Sequence, residues 1–230
     1  MNRQHGANAG AGQRPVLLVH GLWMTGVETT LLRQRLNRGG FDVTVYHYAS
    51  LTAQAAGVRA ALAERVRALA ASTGAPVHLV GHSLGGVLAA QVAESDPSLP
   101  IGRIVLLGAP VHGSGTARAL ARIPGGAIVL GVLADSELTH GERGPWRGRF
   151  ELGIIAGTQA FGMGRLIGAI TEPSDGTVSV AETQLDGARA YLEIRASHMG
   201  LLLSRAVAAN VAEFLGNGRF LPRPAKSAAS

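Results

Sequence analysis

Val77-His78-Leu79-Val80-Gly81-His82-Ser83-Leu84-Gly85-Gly86-Val87-Leu88-Ala89-Ala90 is the stretch that decides how this chain folds. Its first four residues form a short apolar run behind Pro76, the pattern of a fully buried strand. Leu84, Val87, Leu88 and Val92 then recur at helical spacing. Ser83 stands between Gly81 and Gly85, where one period gives way to the other. Small neighbours permit a sharp, strained strand-to-helix turn that lifts the serine hydroxyl clear of the sheet. In a chain with 32 glycines the pattern Gly-x-Ser-x-Gly also arises as a turn that merely tolerates glycine. The strand before it and the helix after it favour a nucleophile, which then needs a base.

Outward from this stretch, strand and helix patterns alternate. Pro15-Val16-Leu17-Leu18-Val19 reads as a buried strand, followed by the turn His20-Gly21-Leu22-Trp23 and a helix from about Val27 to Arg38 that Gly39-Gly40 stops. Phe41 to Tyr46 is rich in β-formers, and Val58, Leu62, Val66 and Leu69 mark a helix over about Ala53 to Ala71. Beyond the serine turn, Arg103–Leu107, Phe150–Ala156 and Tyr191–Ile194 read as strands. Leu203, Val207, Val211 and Phe214 read as a terminal helix with Gly216 near its end. Such alternation predicts an α/β fold, a mostly parallel central sheet with helices on both faces. Its ligand site lies outside the carboxyl ends of the strands.

With 230 residues, 47% of them hydrophobic, the chain is long enough for one substantial core. One α/β domain over residues 15–220 is expected, with flexible ends at residues 1–14 and 221–230. The stretch 110–149 is the least regular, with Gly113-Ser114-Gly115, Pro124-Gly125-Gly126 and Gly144-Pro145 punctuating two helical pieces. It leaves one carboxyl end of the sheet and returns, so it is read as a cap or rim facing substrate.

Composition excludes several classes of function. The net charge is +6, yet only 16% of residues are charged and the arginines are scattered singly. No phosphate-tracking stripe results, and no nucleic-acid partner is expected. Without cysteine there is no disulfide framework, thiol nucleophile or thiolate metal ligand. No apolar signal core precedes Val16, and Ala127–Ala134 is too short to cross a bilayer. A soluble, cytoplasmic protein without stable membrane insertion is the expectation.

Serine at its ordinary pKa is a poor nucleophile, so Ser83 needs an imidazole within hydrogen-bond reach and a carboxyl group to orient that imidazole. Among eight histidines, His198 follows the last strand and precedes the terminal helix, on the same side of the sheet as Ser83. His5 lies in the N-terminal tail, His47 and His78 sit in strand-like runs, and His82 is expected to point away from the site. His112 and His140 lie in the rim, where either touches substrate or simply faces solvent. Asp175, in Ser174-Asp175-Gly176-Thr177-Val178-Ser179, approaches the imidazole from the same edge, with Glu172, Asp186 and Glu193 as rivals. The backbone N–H groups of Leu84 and Leu22 are natural donors to a developing oxyanion. His20 shapes its turn, and Trp23 either walls the acyl pocket or packs in the core.

With Val16-Leu17-Leu18-Val19-His20-Gly21, the serine turn, Ser174–Ser179 and Ser197-His198-Met199-Gly200 in hand, the chain resembles the α/β-hydrolase superfamily, in particular its small lipases and carboxylesterases. The resemblance runs from Val16 to Leu215 and implies Ser83, Asp175 and His198 as a catalytic triad, in the chain order Ser, Asp, His. It implies ester hydrolysis through an acyl-serine, with no cofactor and no metal. Two departures stand out. The first strand begins already at Pro15, so the leading antiparallel strands of larger members are not expected and the sheet shrinks to about six strands. The cap is also short, which points to a short or medium acyl chain. Two other readings use the same residues: acyl transfer to an alcohol or thiol, and a non-catalytic protein that holds a small apolar ligand in the cleft.

Overall fold

A computed structural model describes residues 14–139, 144–161 and 173–222. The expectations for residues 1–13 and 223–230, and those for His5, His140 and Glu172, lie outside the described residues. Six strands form one sheet: β1 (Pro15–Val19), β2 (Asp42–Tyr46), β3 (Val77–His82), β4 (Ile101–Leu107), β5 (Glu151–Gly157) and β6 (Ala190–Ile194). Their order is β2-β1-β3-β4-β5-β6, and every neighbouring pair is parallel. The helices are α1 (Thr30–Arg38), α2 (Ala55–Thr73), α3 (Leu84–Ser95), α4 (Gly115–Ala121), α5 (Gly126–Leu138), α6 (Val180–Thr183), α7 (Gly200–Leu203) and α8 (Arg205–Asn217). The expected α/β architecture is what forms.

Side-chain alternation along the strands builds two cores, one on each face. Val16 and Leu18 of β1 join Leu32 and Leu36 of α1 and Val207, Val211 and Phe214 of α8. Leu17 and Val19 point the other way, toward Val58, Leu62 and Val66 of α2 and Leu88 of α3. Buried on both faces, β1 has to be apolar at every position, which is why it reads as a continuous run rather than an alternating one. Each fully buried leucine here contributes roughly 1.5–3 kcal/mol.

Several boundaries differ from the sequence reading by a few residues, and three of the differences have a clear local reason. Val27–Thr29 forms a 3-10 turn before α1, entered through Gly26 in a left-handed conformation. β3 runs on to His82 because the ladder with β4 continues through Gly81↔Leu106 and His82↔Leu107. The terminal helix is split at Ser204, whose hydroxyl accepts the Val207 N–H at 3.3 Å and so starts α8 afresh. No described helix is long and apolar enough to cross a membrane.

The chain leaves β1 to place β2 on one side and later returns to place β3 on the other. Loops from the carboxyl ends of β1 and β3 therefore diverge and open a crevice between them. Gly21, Leu22, Trp23 and Met24 border it from β1, and Ser83 borders it from β3.

Candidate active site

Ser83 occupies φ 54°, ψ −126°, a conformation that costs a non-glycine residue on the order of 1–3 kcal/mol. Its N–H donates to the Leu107 carbonyl at 2.9 Å, while its own carbonyl accepts the Gly86 N–H at 2.9 Å. The flanking glycines leave room for this turn. A Cβ on Gly85 would stand 2.3 Å from the carbonyl oxygens of both Val19 and His20, and one on Gly81 would stand 2.4 Å from the Gly86 Cα. Although Ser83 holds the N-cap position of α3, its hydroxyl caps no backbone N–H. Leu84 opens α3, so its N–H has no acceptor within the helix and points out at the positive end of the helix dipole.

Asp175 and His198 are drawn together at the carboxyl ends of β5 and β6. His198 Nδ1 lies 2.6 Å from Asp175 Oδ2. Asp175 is 1% exposed, and its Oδ1 accepts the N–H groups of Thr177 at 2.9 Å and Val178 at 2.8 Å. The His198 N–H donates to the Asp175 carbonyl at 3.0 Å, which locks the two loops together. With Nδ1 engaged, Nε2 is the ring nitrogen left for chemistry. Gly108, with φ 53°, makes space for the pair: a Cβ there would meet Asp175 Oδ2 at 2.9 Å and His198 Nδ1 at 3.2 Å. Of the rival carboxyl groups, Asp186 and Glu193 are exposed.

Ser83 and His198 line one cavity of about 380 Å³ in the crevice. Leu22, Trp23 and Met24 close its β1 side, Val178 and Met199 flank it, and Ala117, Leu120, Leu130 and Leu138 of α4 and α5 roof it. The irregular stretch 110–149 thus contributes two helices that wall the site. Among the described residues Ser83 and His198 are not hydrogen-bonded to one another, and bonds of this kind often tighten only once substrate is bound. No group of three or more His, Cys, Asp or Glu among the described residues is arranged to hold a metal ion.

Individual expectations fared differently. Trp23 lines the cavity, adopts φ 57°, and donates its indole Nε1–H to the Val129 carbonyl of α5 at 2.8 Å, tying the turn after β1 to the roof. His20 is buried, stacks on Tyr48 with centroids 4.4 Å apart, and has its carbonyl held by the Tyr48 hydroxyl at 2.7 Å, as a turn-shaping residue should. Burial is the main cause that lowers its pKa. His112 is not among the cavity's lining residues; its N–H donates to the Glu182 carbonyl at 3.3 Å. The expectation for His82 is corrected. β3 continues far enough to turn its ring into the site, where it lines the cavity, places Nε2 3.1 Å from the His198 carbonyl oxygen and sits 4.6 Å from the His198 ring centroid. Burial, and then the neighbouring His198, push its pKa down to about 3.

A parallel six-stranded sheet with a strained serine at its switch point, and a buried Asp-His pair beside it, defines an α/β protein with the layout of a hydrolase. Over residues 16–224 the chain matches the alpha/beta hydrolase family, and it belongs to that family. A search of curated proteins finds no match. Among solved structures it is similar to the mature form of the lipase BlEst2 from Bacillus licheniformis, with 17% identity and a TM-score of 0.66 over 89% of this chain and 91% of that one. It is also similar to a metagenomic carboxyl esterase, MGS0156, with 21% identity and a TM-score of 0.58 over 83% and 65% of the two chains. A monoacylglycerol lipase from Paleococcus ferrophilus shares 17% identity with a TM-score of 0.55 over 88% and 95%. At these identities the likeness is one of fold.

Proposed function

We propose that the protein is a serine hydrolase that cleaves carboxylic esters bearing a short or medium acyl chain. The observation that carries this reading is the 2.6 Å His198–Asp175 bond beside Ser83, on an apolar cavity at the switch point of the sheet. His198 Nε2 takes the proton from Ser83 as its oxygen attacks the ester carbonyl, and the Leu22 and Leu84 amides hold the oxyanion. Collapse expels the alcohol, which receives that proton, and leaves an acyl-serine. His198 then activates water to release the acid, while Asp175 keeps the imidazole oriented throughout. Each oxyanion donor contributes about 2.7–4 kcal/mol in comparable sites.

Cavity size and lining support the substrate class. A space of about 380 Å³ sits at the small end of ligand sites, and leucines and alanine on α4 and α5 offer an acyl chain an apolar wall. The lipase and the carboxyl esterase that share this fold fit the same class. The test is turnover of nitrophenyl esters of increasing chain length by the purified protein, with Ser83→Ala and His198→Ala alongside. Activity that peaks at short or medium chains and vanishes in both variants is expected. Unchanged turnover in Ser83→Ala, or a fluorophosphonate label on another residue, would remove the reading. If added alcohols capture the acyl group faster than water does, the protein is an acyltransferase instead.

A further inference from the structure

His82 has no part in the cycle above, yet its placement is costly. It is 1% exposed, and its Nδ1 has no hydrogen-bond partner. A buried polar atom left unpaired forfeits its hydration with nothing in return, and a native structure that keeps one invites an explanation. An apolar side chain of similar volume would avoid that loss.

Geometry shows what the imidazole does that such a side chain would not. Nε2 faces the His198 carbonyl oxygen at 3.1 Å, so Nε2 bears the proton and donates it, and Nδ1 is the bare nitrogen. The two ring centroids lie 4.6 Å apart with the planes tilted by 45°, so the His198 imidazole has Asp175 at Nδ1 and the His82 ring packed next to it. Resting on the serine-hydrolase reading, we propose that His82 is a positioning residue acting through His198: its N–H pins the main chain of the base, and its neutral ring stabilises the imidazolium.

In the step concerned, the Ser83 O–H bond breaks and its proton passes to His198 Nε2. The electron pair left on oxygen forms the bond to the ester carbon, so His198 gains a positive charge and His82 changes none of its bonds. An aromatic face a few ångströms from a cation attracts it. The ring serves this purpose only while uncharged, because a second cation there would oppose the first. Burial keeps it uncharged, holding its pKa at about 3. The titratable groups that act on His82 are His198, Asp175 and, from the turn after β1, His20. Those contacting His198 are Asp175 at Nδ1 and the tilted ring of His82.

His82→Phe keeps an aromatic face and loses the donor; His82→Leu keeps bulk and loses both. The acid limb of the kcat/KM profile reports the His198 pKa of the free enzyme. On nitrophenyl butyrate that limb is expected to move about half a unit to lower pH in His82→Leu, a roughly threefold loss of proton affinity, and to stay near wild type in His82→Phe. Both variants are expected to lose about tenfold in kcat/KM at neutral pH through the missing N–H. Titration of the labelled His198 ring by NMR reads the same pKa without turnover, so it decides the matter even if the wild-type protein hydrolyses no ester. Superimposable titrations for wild type, His82→Phe and His82→Leu would overturn the proposal, as would equal shifts in both variants. Unfolding temperatures recorded on the same samples separate a folding defect from a change at His198.

Discussion

The serine turn and the cap meet across one cavity but are built in opposite ways. Around Ser83 the backbone itself fills the space: added Cβ atoms at Gly81 and Gly85 would stand 2.4 Å or less from main-chain atoms of neighbouring segments. In the cap, α5 is broken at Gly131 (φ 74°, ψ 167°), Ile128 is 85% exposed, and side chains supply most of the ties to the body. These ties include the Trp23 indole on the Val129 carbonyl, an Arg59–Glu137 ion pair at 2.7 Å and the Thr116 hydroxyl on the Thr177 carbonyl at 2.6 Å, beside a few backbone bonds such as Val132 N–H to the Leu51 carbonyl. Under the proposed function, the contrast places reactivity on close-packed main-chain geometry and substrate preference on side chains that can be exchanged.

Breaking that contrast begins with the charge beside the base. Asp175→Asn keeps the shape of the buried pair but upsets its tautomer and charge, and kcat is expected to fall roughly 10,000-fold with little change in unfolding temperature. A loss below tenfold would make Asp175 a purely structural residue. Next comes the turn itself. Gly85→Ala forces a methyl against the Val19 and His20 carbonyls and is expected to cost about 3 kcal/mol in chemical denaturation. Gly57→Ala, in α2 with open space around it, should stabilise by about 0.5–1 kcal/mol.

Acid probes β3, which carries His78 near its start and His82 at its end. His82 is held at about 3 and His78 at about 4 against an ordinary 6.5, so below about pH 6.5 the unfolded chain binds more protons than the folded one. Stability is therefore present in full above that pH and is lost as the pH falls toward 4. An unfolding temperature that stays flat from pH 6.5 to 4 would contradict the neutral state of these rings.

Effects in the cap should be smaller and selective. Leu130→Val removes one methylene from the roof and is expected to shift the ratio of kcat/KM between longer and shorter esters about tenfold toward the longer. Trp23→Phe deletes the indole bond to Val129 and trims the ring that lines the cavity, costing about 1 kcal/mol in thermal unfolding and raising KM more than it lowers kcat. If kcat fell a thousandfold instead, the cap would belong to the reactive machinery and the contrast would dissolve.

Much of the fold was legible because it follows from periodicity. Strands buried on both faces must be apolar throughout, and helices packed on one side must repeat near 3.6 residues, so β1 can be read residue by residue and α2 to within two residues at each end. Ser83 was legible because its turn demands glycine on both sides, and His198 because it follows a strand on the right edge. The inward orientation of His82 was not, since it depends on how far the β3–β4 ladder runs. Gly108 was also passed over, because a glycine's neighbours across the sheet leave no mark in its own surroundings along the chain.

By itself, then, the sequence determined the alternation of elements, the strained serine and the order in which Ser83, Asp175 and His198 occur, because each is written in local spacing and residue type. Tertiary structure alone decided that Asp175 and not Asp186 or Glu193 meets the imidazole, that α4 and α5 roof the cavity, and that a second histidine faces the first. These are contacts between residues far apart along the chain. They exist only once two hydrophobic cores have fixed the strand order and brought the carboxyl ends of β1, β3, β5 and β6 to one edge.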